Sequence, residues 1–439
     1  AGRFPGAPDV RSFWKLLQEG KHARTLWTRA ELAAKGVSAE VYNHPRFVPA
    51  AYMVGGAESF DAAFWGLSPH ESAIMDPQHR TFMEVAWAAF ETAGYAPRSG
   101  TPKRTAVVAA PGIDGYMHHH LGGAPLKDSL SPADIFLGEV GSEKDYIATR
   151  VSFALDLMGP SIAVNSACSS ALAAIAQAAQ MLLTGQADLA LGGAAALSFP
   201  NQGYLYEDGL VFSRDGLVRP FDAAASGTVF GDAVGAVVLK RRADAQRDGD
   251  TALATINGFG VTNDGARRAG FSAPGVSGQR EAVVSALRMG GVSAASVSFV
   301  ECHATATLVG DGIELRALTE AFASQGAGAG GVGYCAVGSV KGNIGHANAA
   351  AGVTGLIKAA MSLSQAALVP TANFTKLNDK VHLGGGPFAV NGVLCPWPRH
   401  ARAAGKGQLP RRAGVSSFGI GGTDVHMLLQ EAAADADGA

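Results

Sequence analysis

Residues 164–175 read VNSACSSALAAI and place one cysteine where a short apolar run gives way to small, helix-forming residues. The pattern predicts a strand that ends just before Cys168 and a helix that begins just after it, with Ser169 and Ser170 at the helix N-terminus. Because a thiol placed there lies near unpaired backbone N–H groups, we expect its pKa to be lowered toward the thiolate. The alternative is a buried packing residue, which is the commonest environment of a free cysteine.

A second stretch, residues 342–363, has the same plan as residues 165–183. Both follow a predicted strand, present a reactive side chain and continue as an Ala-rich helix. These helices are apolar on nearly every face, so we expect them to be buried between layers. Short β-rich runs alternate with helices beyond residue 104, which predicts an α/β architecture. The two stretches therefore indicate two similar halves, about residues 1–250 and 251–430, followed by a tail at 431–439.

The composition excludes several classes of protein. Hydrophobic residues make up 47% of the 439-residue chain and charged residues 16%, which favours a large core over disorder. The 35 basic and 37 acidic residues nearly cancel, and no basic run indicates a nucleic-acid or membrane partner. The four cysteines are far apart and form no CxxC pair, so neither a disulfide framework nor a zinc site is expected. The N-terminus lacks the pattern of a signal peptide, and we expect a cytoplasmic protein, or an organellar one in a eukaryote.

Two histidines offer partners for a nucleophilic cysteine. His303 lies in ECHATAT, residues 301–307, and His346 opens the second stretch; both positions are predicted turns at strand ends. Each histidine alone is more often structural, but three reactive side chains at analogous positions indicate a catalytic set. The run His118–His120 has no suitably spaced further ligands, so we interpret it as a loop at the surface or at a pocket rim and not as a metal site.

Eight segments, in order along the chain, carry a resemblance to a known family. They are RFPGAPDVRSFWKLLQEG, FDAAFWGLSPHESAIMDPQHR, GPSIAVNSACSSALAAI, VRPFDAAASGTVFGDAVGAVVLKR, VTNDG, ECHATATLVGDGIE, VGSVKGNIGHANAAAG and RRAGVSSFGIGGTDVHMLL. With these motifs the chain resembles the β-ketoacyl synthases of modular and iterative polyketide synthases, in the thiolase superfamily. The resemblance implies a thiolase-like five-layer αβαβα sandwich, a single ketosynthase domain over residues 1–439, and a homodimer.

The resemblance also implies a reaction and its partners. An acyl chain would pass from the phosphopantetheine of an acyl carrier protein to the cysteine. A malonyl-type extender on a second carrier would then lose CO2 and attack that thioester, in polyketide or related fatty-acid biosynthesis. Neighbouring domains such as an acyltransferase are expected partners. No metal or other cofactor of its own, no nucleic acid and no membrane are expected.

The family's functional residues map onto this sequence one by one. The resemblance makes Cys168 the nucleophile and His303 and His346 the hydrogen-bond donors to the extender carbonyl. Lys341 and Glu314 match the residues that tune the first histidine, although a structural ion pair is the alternative reading of those two. The implied oxyanion hole consists of the backbone N–H groups of Cys168 and Phe418, and Phe418 also matches the gate of the acyl pocket. The implied substrate-binding set is Thr305, Thr307, Asn343, Gly419, Gly421 and Gly422.

The sequence departs from the family pattern at five positions. Ala304 and Ala306 stand where glycine is usual, Gly312 stands where proline is common, and Gly342 stands where serine is common. Asp424 replaces an asparagine, which exchanges a neutral donor and acceptor for a carboxylate that only accepts when it is ionised. Ala304 and Ala306 add methyl groups where glycine permits close backbone packing, so the sequence leaves the turn geometry near His303 open.

Three functions remain open at this stage. The presence of Cys168, His303 and His346 favours an elongating enzyme over a non-elongating, transacylating or scaffold domain of the same kind of assembly line. A thiolase or a 3-hydroxy-3-methylglutaryl synthase is disfavoured by the paired HATAT and KGNIGH segments. The segment 75–80, MDPQHR, predicts a helix start and matches a family segment near the subunit contact. The chain begins at a point where the family has a preceding strand, so we expect a segment of a larger polypeptide.

Overall fold

Strands form where the β-rich runs predict them. The computed structural model describes residues 1–121, 131–327, 331–401 and 408–432. Its strands are β1 (Gly2–Arg3), β2 (Thr25–Leu26), β3 (Phe47–Val48), β4 (Ala50–Ala51), β5 (Thr105–Pro111), β6 (Ser161–Ala163), β7 (Leu189–Ala196), β8 (Tyr204–Leu205), β9 (Ala233–Leu239), β10 (Ala254–Asn263), β11 (Phe299–Glu301), β12 (Cys335–Gly338), β13 (Ala367–Leu368), β14 (Phe388–Val390), β15 (Cys395–Pro396), β16 (His400–Ala401), β17 (Gln408–Leu409), β18 (Arg412–Phe418) and β19 (Thr423–Glu431).

Helices occupy the stretches between these strands. The α-helices are Val10–Gln18, Arg29–Ala34, Ala39–Tyr42, Pro69–Ile74, Pro77–Thr92, Pro132–Ser142, Tyr146–Leu155, Ser170–Leu183, Arg242–Asp248, Val276–Gly290, Gly310–Ser324, Lys341–Ile344 and Ala351–Gln365. The helix start predicted at Met75–Arg80 is confirmed, with Pro77 in the first turn and the Asp76 carboxylate accepting the Gln78 N–H. In the described ranges no helix is both long enough and apolar enough to cross a membrane.

Two mixed sheets organise the halves. The first half carries a five-stranded sheet in the order β1-β9-β7-β5-β6, and the second carries a six-stranded sheet in the order β10-β19-β18-β11-β12-β14. In the first sheet β5 runs parallel to both β6 and β7. In the second, β11 runs parallel to both β12 and β18. Parallel neighbours bring their carboxyl ends to one edge of a sheet, which is where glycine-rich turns follow in this sequence.

Two buried helices lie between the sheets, as the Ala-rich stretches predict. The first central helix, Ser170–Leu183, packs on β5 and β7, and the second central helix, Ala351–Gln365, packs on β9 and β18 and against the first. Small residues allow this close contact: a Cβ on Gly352 would lie 2.7 Å from a side-chain carbon of Leu172. Helices Pro77–Thr92 and Tyr146–Leu155 pack on the first sheet, and Val276–Gly290 packs on the second. The five-layer αβαβα arrangement with two similar halves is confirmed.

Two local predictions differ from the structure. Residues Met117–Leu121 form a π-helical turn where we expected a loop, although His118, His119 and His120 are exposed as expected. β19 continues to Glu431, so the predicted tail begins later than residue 431; its remainder, residues 433–439, lies outside the described residues.

One buried ion pair connects the core to the edge where β11 ends. The Lys358 ammonium on the second central helix lies 2.6 Å from the Glu301 carboxylate, and the two side chains are 0% and 2% exposed. The other carboxylate oxygen of Glu301 accepts the Val340 N–H at 2.6 Å. Glu301 therefore joins the end of β11, the turn after β12 and the second central helix.

This ion pair yields a stability prediction. Replacing Lys358 by Met leaves a buried carboxylate without its counter-charge, and we expect a loss of about 3–5 kcal/mol in the free energy of unfolding. The double variant E301Q/K358M removes both charges and keeps an acceptor for Val340, so it should recover most of that loss. Urea denaturation of the two variants and the parent measures the difference. A double variant no more stable than K358M would contradict this account.

Candidate active site

Cys168 lies at the start of a tightly bonded turn. After β6 the chain enters a single 3₁₀ turn, Ala167–Ser169, which continues directly into the first central helix. The Ser170 hydroxyl accepts the Ser166 N–H at 2.8 Å and donates to the Ala167 carbonyl at 2.7 Å. Ala167 adopts a left-handed conformation, with φ of 54°, immediately before the nucleophile. The strand, turn and helix predicted around Cys168 are thus confirmed.

The electrostatic environment of the thiol differs from our expectation. Burial raises the pKa of Cys168, while the positive charge of Lys341 and the backbone N–H groups of Ile420 and Cys168 oppose that shift. The expected lowering by the helix terminus is therefore wrong, because loss of hydration outweighs the favourable charges around the sulfur. The residue as a whole is half-buried.

His346 contacts the thiol directly. Its Nε2 lies 3.1 Å from the Cys168 sulfur, and its Nδ1 accepts the Asn348 N–H at 3.2 Å. A neutral ring that accepts at Nδ1 carries its proton on Nε2, so His346 faces the sulfur as a donor. The backbone of His346 is held in place by hydrogen bonds with Val229 and Gly231. Burial and the charge of Lys341 hold the pKa of His346 well below its usual value.

His303 has the same proton arrangement. Its Nδ1 accepts the Phe418 N–H at 3.3 Å, which again leaves the ring proton on Nε2. The rings of His303 and His346 lie 5.3 Å apart between centroids, at 87° to each other. Burial, Lys341 and His346 hold the pKa of His303 well below its usual value, so both imidazoles are neutral at physiological pH.

Cys168, His303 and His346 are close enough to raise the question of a metal ion, because their ligand atoms all lie within 4.8 Å of one another. Zinc would require an unprotonated ring nitrogen from each histidine. Both Nδ1 atoms already accept backbone N–H groups, and both Nε2 atoms therefore carry protons. This arrangement suits two hydrogen-bond donors aimed at a substrate oxygen better than it suits a metal centre.

Two carboxylates near the start of helix Gly310–Ser324 hold the loop that carries His303. Glu314 accepts the backbone N–H groups of His303 and Ala304, both at 2.7 Å, and burial raises its pKa to about 7. Asp311 accepts the Ala306 N–H at 3.0 Å, and burial raises its pKa to about 6. These bonds keep Ala306 in a left-handed conformation, with φ of 60°, which is unfavourable for any residue with a Cβ. The substituted loop is therefore held by its hydrogen bonds and not by glycine.

Lys341 places a positive charge in the buried interior of the site. It opens the turn Lys341–Ile344 after β12, and burial lowers its pKa while Glu301, Glu314, Cys168 and Asp311 partly restore it. Glu314 directs its two oxygens at the backbone of His303 and Ala304, so the sequence reading of a simple Lys341–Glu314 pair is incomplete. The next residue, Gly342, has no room for a side chain, because a Cβ there would lie 2.4 Å from the Ala372 carbonyl oxygen.

The loop between β18 and β19 reaches the nucleophile from the second half. The Ser417 hydroxyl donates to the Cys168 carbonyl at 2.7 Å, and a Cβ on Gly419 would lie 2.3 Å from the Ser166 carbonyl oxygen. The Phe418 N–H is bonded to His303, whereas the Ile420 N–H faces the thiol. The assignment of Phe418 to the oxyanion hole stays a prediction, and the Ile420 N–H is a second candidate donor. The Ile420 side chain is also exposed, and that of Phe418 is buried.

The remaining sequence-predicted residues divide into two groups. Thr305 and Thr307 lie beside each other, with hydroxyl oxygens 3.3 Å apart, and Thr307 accepts the Gly310 N–H. Asn343 bonds to the N-terminal segment: its amide donates to the Lys21 carbonyl at 2.7 Å. Sequence reasoning missed Asp311 and Glu301, although an acid at a strand end and an acid in a first helical turn both flank His303 in the sequence.

Comparisons with known proteins agree with this geometry. Residues 1–245 match the model of the beta-ketoacyl synthase N-terminal domain, and residues 253–375 match that of the C-terminal domain. The chain is 41% identical to a phenolphthiocerol/phthiocerol polyketide synthase of Mycobacterium tuberculosis, over 99% of its own length and 29% of that protein. It is 36% identical to polyketide synthase PksN of Bacillus subtilis, over 98% of this chain and 8% of the relative. The chain thus spans less than a third of these relatives.

Solved structures lead to the same family. Ketosynthase twelve of the bacillaene polyketide synthase from Bacillus amyloliquefaciens superposes with a TM-score of 0.89 at 35% identity, over 98% of this chain and 74% of that one. The ketosynthase from module 1 of the bacillaene synthase of the same species gives 0.86 at 36% identity, over 99% and 75%. The chain belongs to the β-ketoacyl synthase family, as a ketosynthase domain of the polyketide synthase type.

Proposed function

We propose that this chain is a single ketosynthase domain that elongates an acyl chain by decarboxylative Claisen condensation within a polyketide synthase. The observation that carries this proposal is the pair of neutral imidazoles at the thiol, each with its Nδ1 accepting a backbone N–H. Two donors stabilise the negative charge of a developing oxyanion better than one donor does.

The first half-reaction loads the thiol. The Cys168 sulfur attacks the carbonyl carbon of an acyl thioester on the phosphopantetheine of a carrier protein. The tetrahedral oxyanion accepts hydrogen bonds from the backbone N–H groups of Cys168 and Ile420, which face the sulfur. Collapse expels the carrier thiolate, which takes up a proton equivalent to the one that Cys168 lost on ionisation, and leaves the acyl group on Cys168. Lys341 favours the ionised sulfur through its charge.

The second half-reaction forms the carbon–carbon bond. A malonyl-type thioester on a carrier loses CO2, and the electrons of the broken bond form an enolate whose oxygen accepts hydrogen bonds from His303 and His346. The enolate carbon attacks the acyl–Cys168 carbonyl and expels the Cys168 thiolate. The product is a β-ketoacyl chain, two backbone carbons longer, that is bound to the carrier. Neutral imidazoles suit this step because they donate a hydrogen bond without bringing a full charge into a buried site.

Carrier proteins are the partners that this chemistry requires. The curated relatives named above are polyketide synthases several times longer than this chain, which supports neighbouring domains such as an acyltransferase. A transacylating domain is the second candidate function, because loading requires only the thiol and the two N–H groups. The pair of histidine donors favours elongation, since loading alone gives His303 no oxygen to stabilise.

A homodimer is also part of this proposal. β6 ends the first sheet, and in the described part of the chain it pairs with β5 alone, so its outer edge is open. Phe153 is 90% exposed and Met158 is 75% exposed beside that edge, and Ile162 on β6 is exposed as well. An open edge strand flanked by large apolar side chains fits a second copy of this chain that extends the sheet.

The loading step predicts a covalent adduct on one cysteine. Incubation with a defined acyl thioester should increase the intact mass by one acyl group in the parent, and Cys168→Ala should abolish the increase. Cys395 is the matched control, because it is also half-buried but lies on β15, and C395A should load as the parent does. Equal loading of C168A would contradict the assignment of the nucleophile.

The condensation step predicts a separation of the two half-reactions. His303→Ala removes one enolate donor, so release of CO2 from malonyl-carrier should fall about 10²–10³-fold while acyl loading stays within a few-fold. Radiolabelled CO2 release and intact-mass loading measure the two rates. The exposed His120→Ala is the control and should change neither rate. Equal loss of both half-reactions in H303A would refute this division of roles, and loading without extension in the parent would favour transacylation.

The dimer proposal predicts a surface variant that changes the oligomeric state. Phe153→Asp places a charge on the open edge and should convert a dimer of about twice the chain mass to a monomer, as measured by light scattering. Phe271→Asp is the matched control, because Phe271 is 79% exposed but lies beside Arg268 in the second half. Dissociation by F271D, or none by F153D, would argue against the β6 interface.

A further inference from the structure

Two buried aspartates lie next to each other at the base of the loop between β18 and β19. Asp424, near the start of β19, is paired with Phe418 on one side and with Thr262 of β10 on the other. Asp264 follows the end of β10. Each residue is 1% exposed. The reaction described above uses neither carboxyl group.

Their carboxyl groups share one small space beside Gly278. A Cβ on Gly278 would lie 2.4 Å from Asp264 Oδ1 and 2.8 Å from Asp424 Oδ2, so both oxygens border the same point. Neither oxygen has a hydrogen-bond partner within the described residues. Two adjacent buried carboxylates cannot both be ionised without strong repulsion, whereas one proton between them satisfies both oxygens.

The charges around Asp424 act on its pKa in both directions. Burial raises the pKa of Asp424 to about 8, the charges of Asp264 and Glu314 add to this shift, and Arg268 opposes it. The Arg268 guanidinium is directed at the loop itself, where it donates to the Ile420 carbonyl at 2.9 Å. Arg267 is paired with Glu281.

A helix end lies beside Asp264. The Asp264 carboxyl group borders Gly275, at the N-terminus of helix Val276–Gly290, which has no side-chain cap. Asp424, whose pKa is raised by burial, is the group that carries a proton at physiological pH.

The backbone next to these two residues closes the catalytic loop. The Asp264 N–H donates to the Gly422 carbonyl at 2.9 Å, and the Gly419 N–H donates to the Thr423 carbonyl at 2.8 Å, next to Asp424. The Ile420 N–H, which faces Cys168, lies between these anchors, and the Phe418 N–H, which holds His303, lies one residue before them. Separation of the two carboxyl groups would therefore act on the backbone at both ends of this loop.

We propose that Asp424 is a positioning residue that shares one proton with Asp264, and that this proton holds the Phe418–Gly422 loop in place against Cys168 and His303. The proposal rests on the proposed function, in which these loop N–H groups serve catalysis. Loss of the proton to solvent converts the pair to two carboxylates, whose repulsion opens the base of the loop. The enzyme then loses the Ile420 donor at the thiol above the pH at which the pair ionises.

The raised pKa of Asp424 determines how the stability of the folded protein changes with pH. The pKa of Asp424 is about 8 in the folded protein, above its ordinary value of 3.8. The stabilisation from its protonated form is therefore complete below about pH 4 and is lost as the pH rises toward 8. An asparagine at this position donates to Asp264 at every pH and removes that dependence.

The experiment compares the parent with D424N in two ways that use no acyl substrate. The midpoint of thermal unfolding should be higher for D424N, and the difference should grow from pH 5 to about pH 8 and then stay level. The rate of Cys168 alkylation by iodoacetamide, parent relative to D424N, should fall about three- to tenfold between pH 7 and 9.5, as expected for one lost hydrogen bond to the sulfur. Failure of the condensation assay affects neither readout, so the two proposals can fail separately.

Two further variants complete the test. D264N should reproduce both effects, because it also removes the need for a shared proton, and it keeps the test valid if D424N folds poorly.

Asp76→Asn is the matched control: burial raises the pKa of Asp76 to about 6, but that residue caps helix Pro77–Thr92 in the first half. D76N should change the thermal profile and leave the alkylation ratio constant with pH. If the alkylation rate of the parent relative to D424N did not change with pH, the proposal would be overturned. A lower unfolding midpoint for D424N than for the parent above pH 8 would also overturn it, because it would mean that an ionised Asp424 is paired with Arg268.

Discussion

The rest of the site depends on hydrogen bonds that backbone N–H groups near the end of β11 donate to buried carboxylates. Glu314 holds the N–H groups of His303 and Ala304, Asp311 holds that of Ala306, and Glu301 holds that of Val340 before Lys341. A carboxylate can accept several such bonds, and its burial makes each bond hard to exchange for water. The loop that carries His303 therefore keeps its shape even with two alanines where small, flexible residues would be expected.

Burial then sets the charge state of the reacting groups. Loss of hydration keeps both histidines neutral, raises the pKa of the thiol and lowers that of Lys341. Neutral imidazoles donate hydrogen bonds to a developing negative charge, and the backbone donors at both Nδ1 atoms select the tautomer that does so. The thiol is less acidic than its place at a helix start suggests. Activation by Lys341 and by the N–H groups around the sulfur therefore has to offset a desolvation penalty.

The end of β18 and the loop that follows it join the two halves of the molecule at this point. Together they contribute a donor to His303, a donor to the thiol, and the Ser417 hydroxyl, which donates to the carbonyl of Cys168. Because Asp264 and Asp424 hold its base, the loop connects catalytic geometry to a protonation equilibrium outside the reacting groups. The alternation of buried acids and backbone donors around the site makes it rigid and also sensitive to charge.

Local pattern in the sequence was enough to predict the α/β class, the two similar halves, the buried central helices, and the strand–turn–helix units that present Cys168 and His346. These features depend on residues that are neighbours in the chain, so periodicity and turn chemistry reveal them, and the family motifs added His303 as the third member. Only the tertiary structure decided that the Phe418 N–H binds His303 and that the Ile420 N–H faces the thiol. It also decided that Asn343 binds Lys21 and that the pKa of the thiol rises. The contact between Asp264 and Asp424 likewise depends on the tertiary structure. Each of these depends on contacts between segments distant in sequence and on the hydration lost when they pack, and no local pattern encodes either quantity.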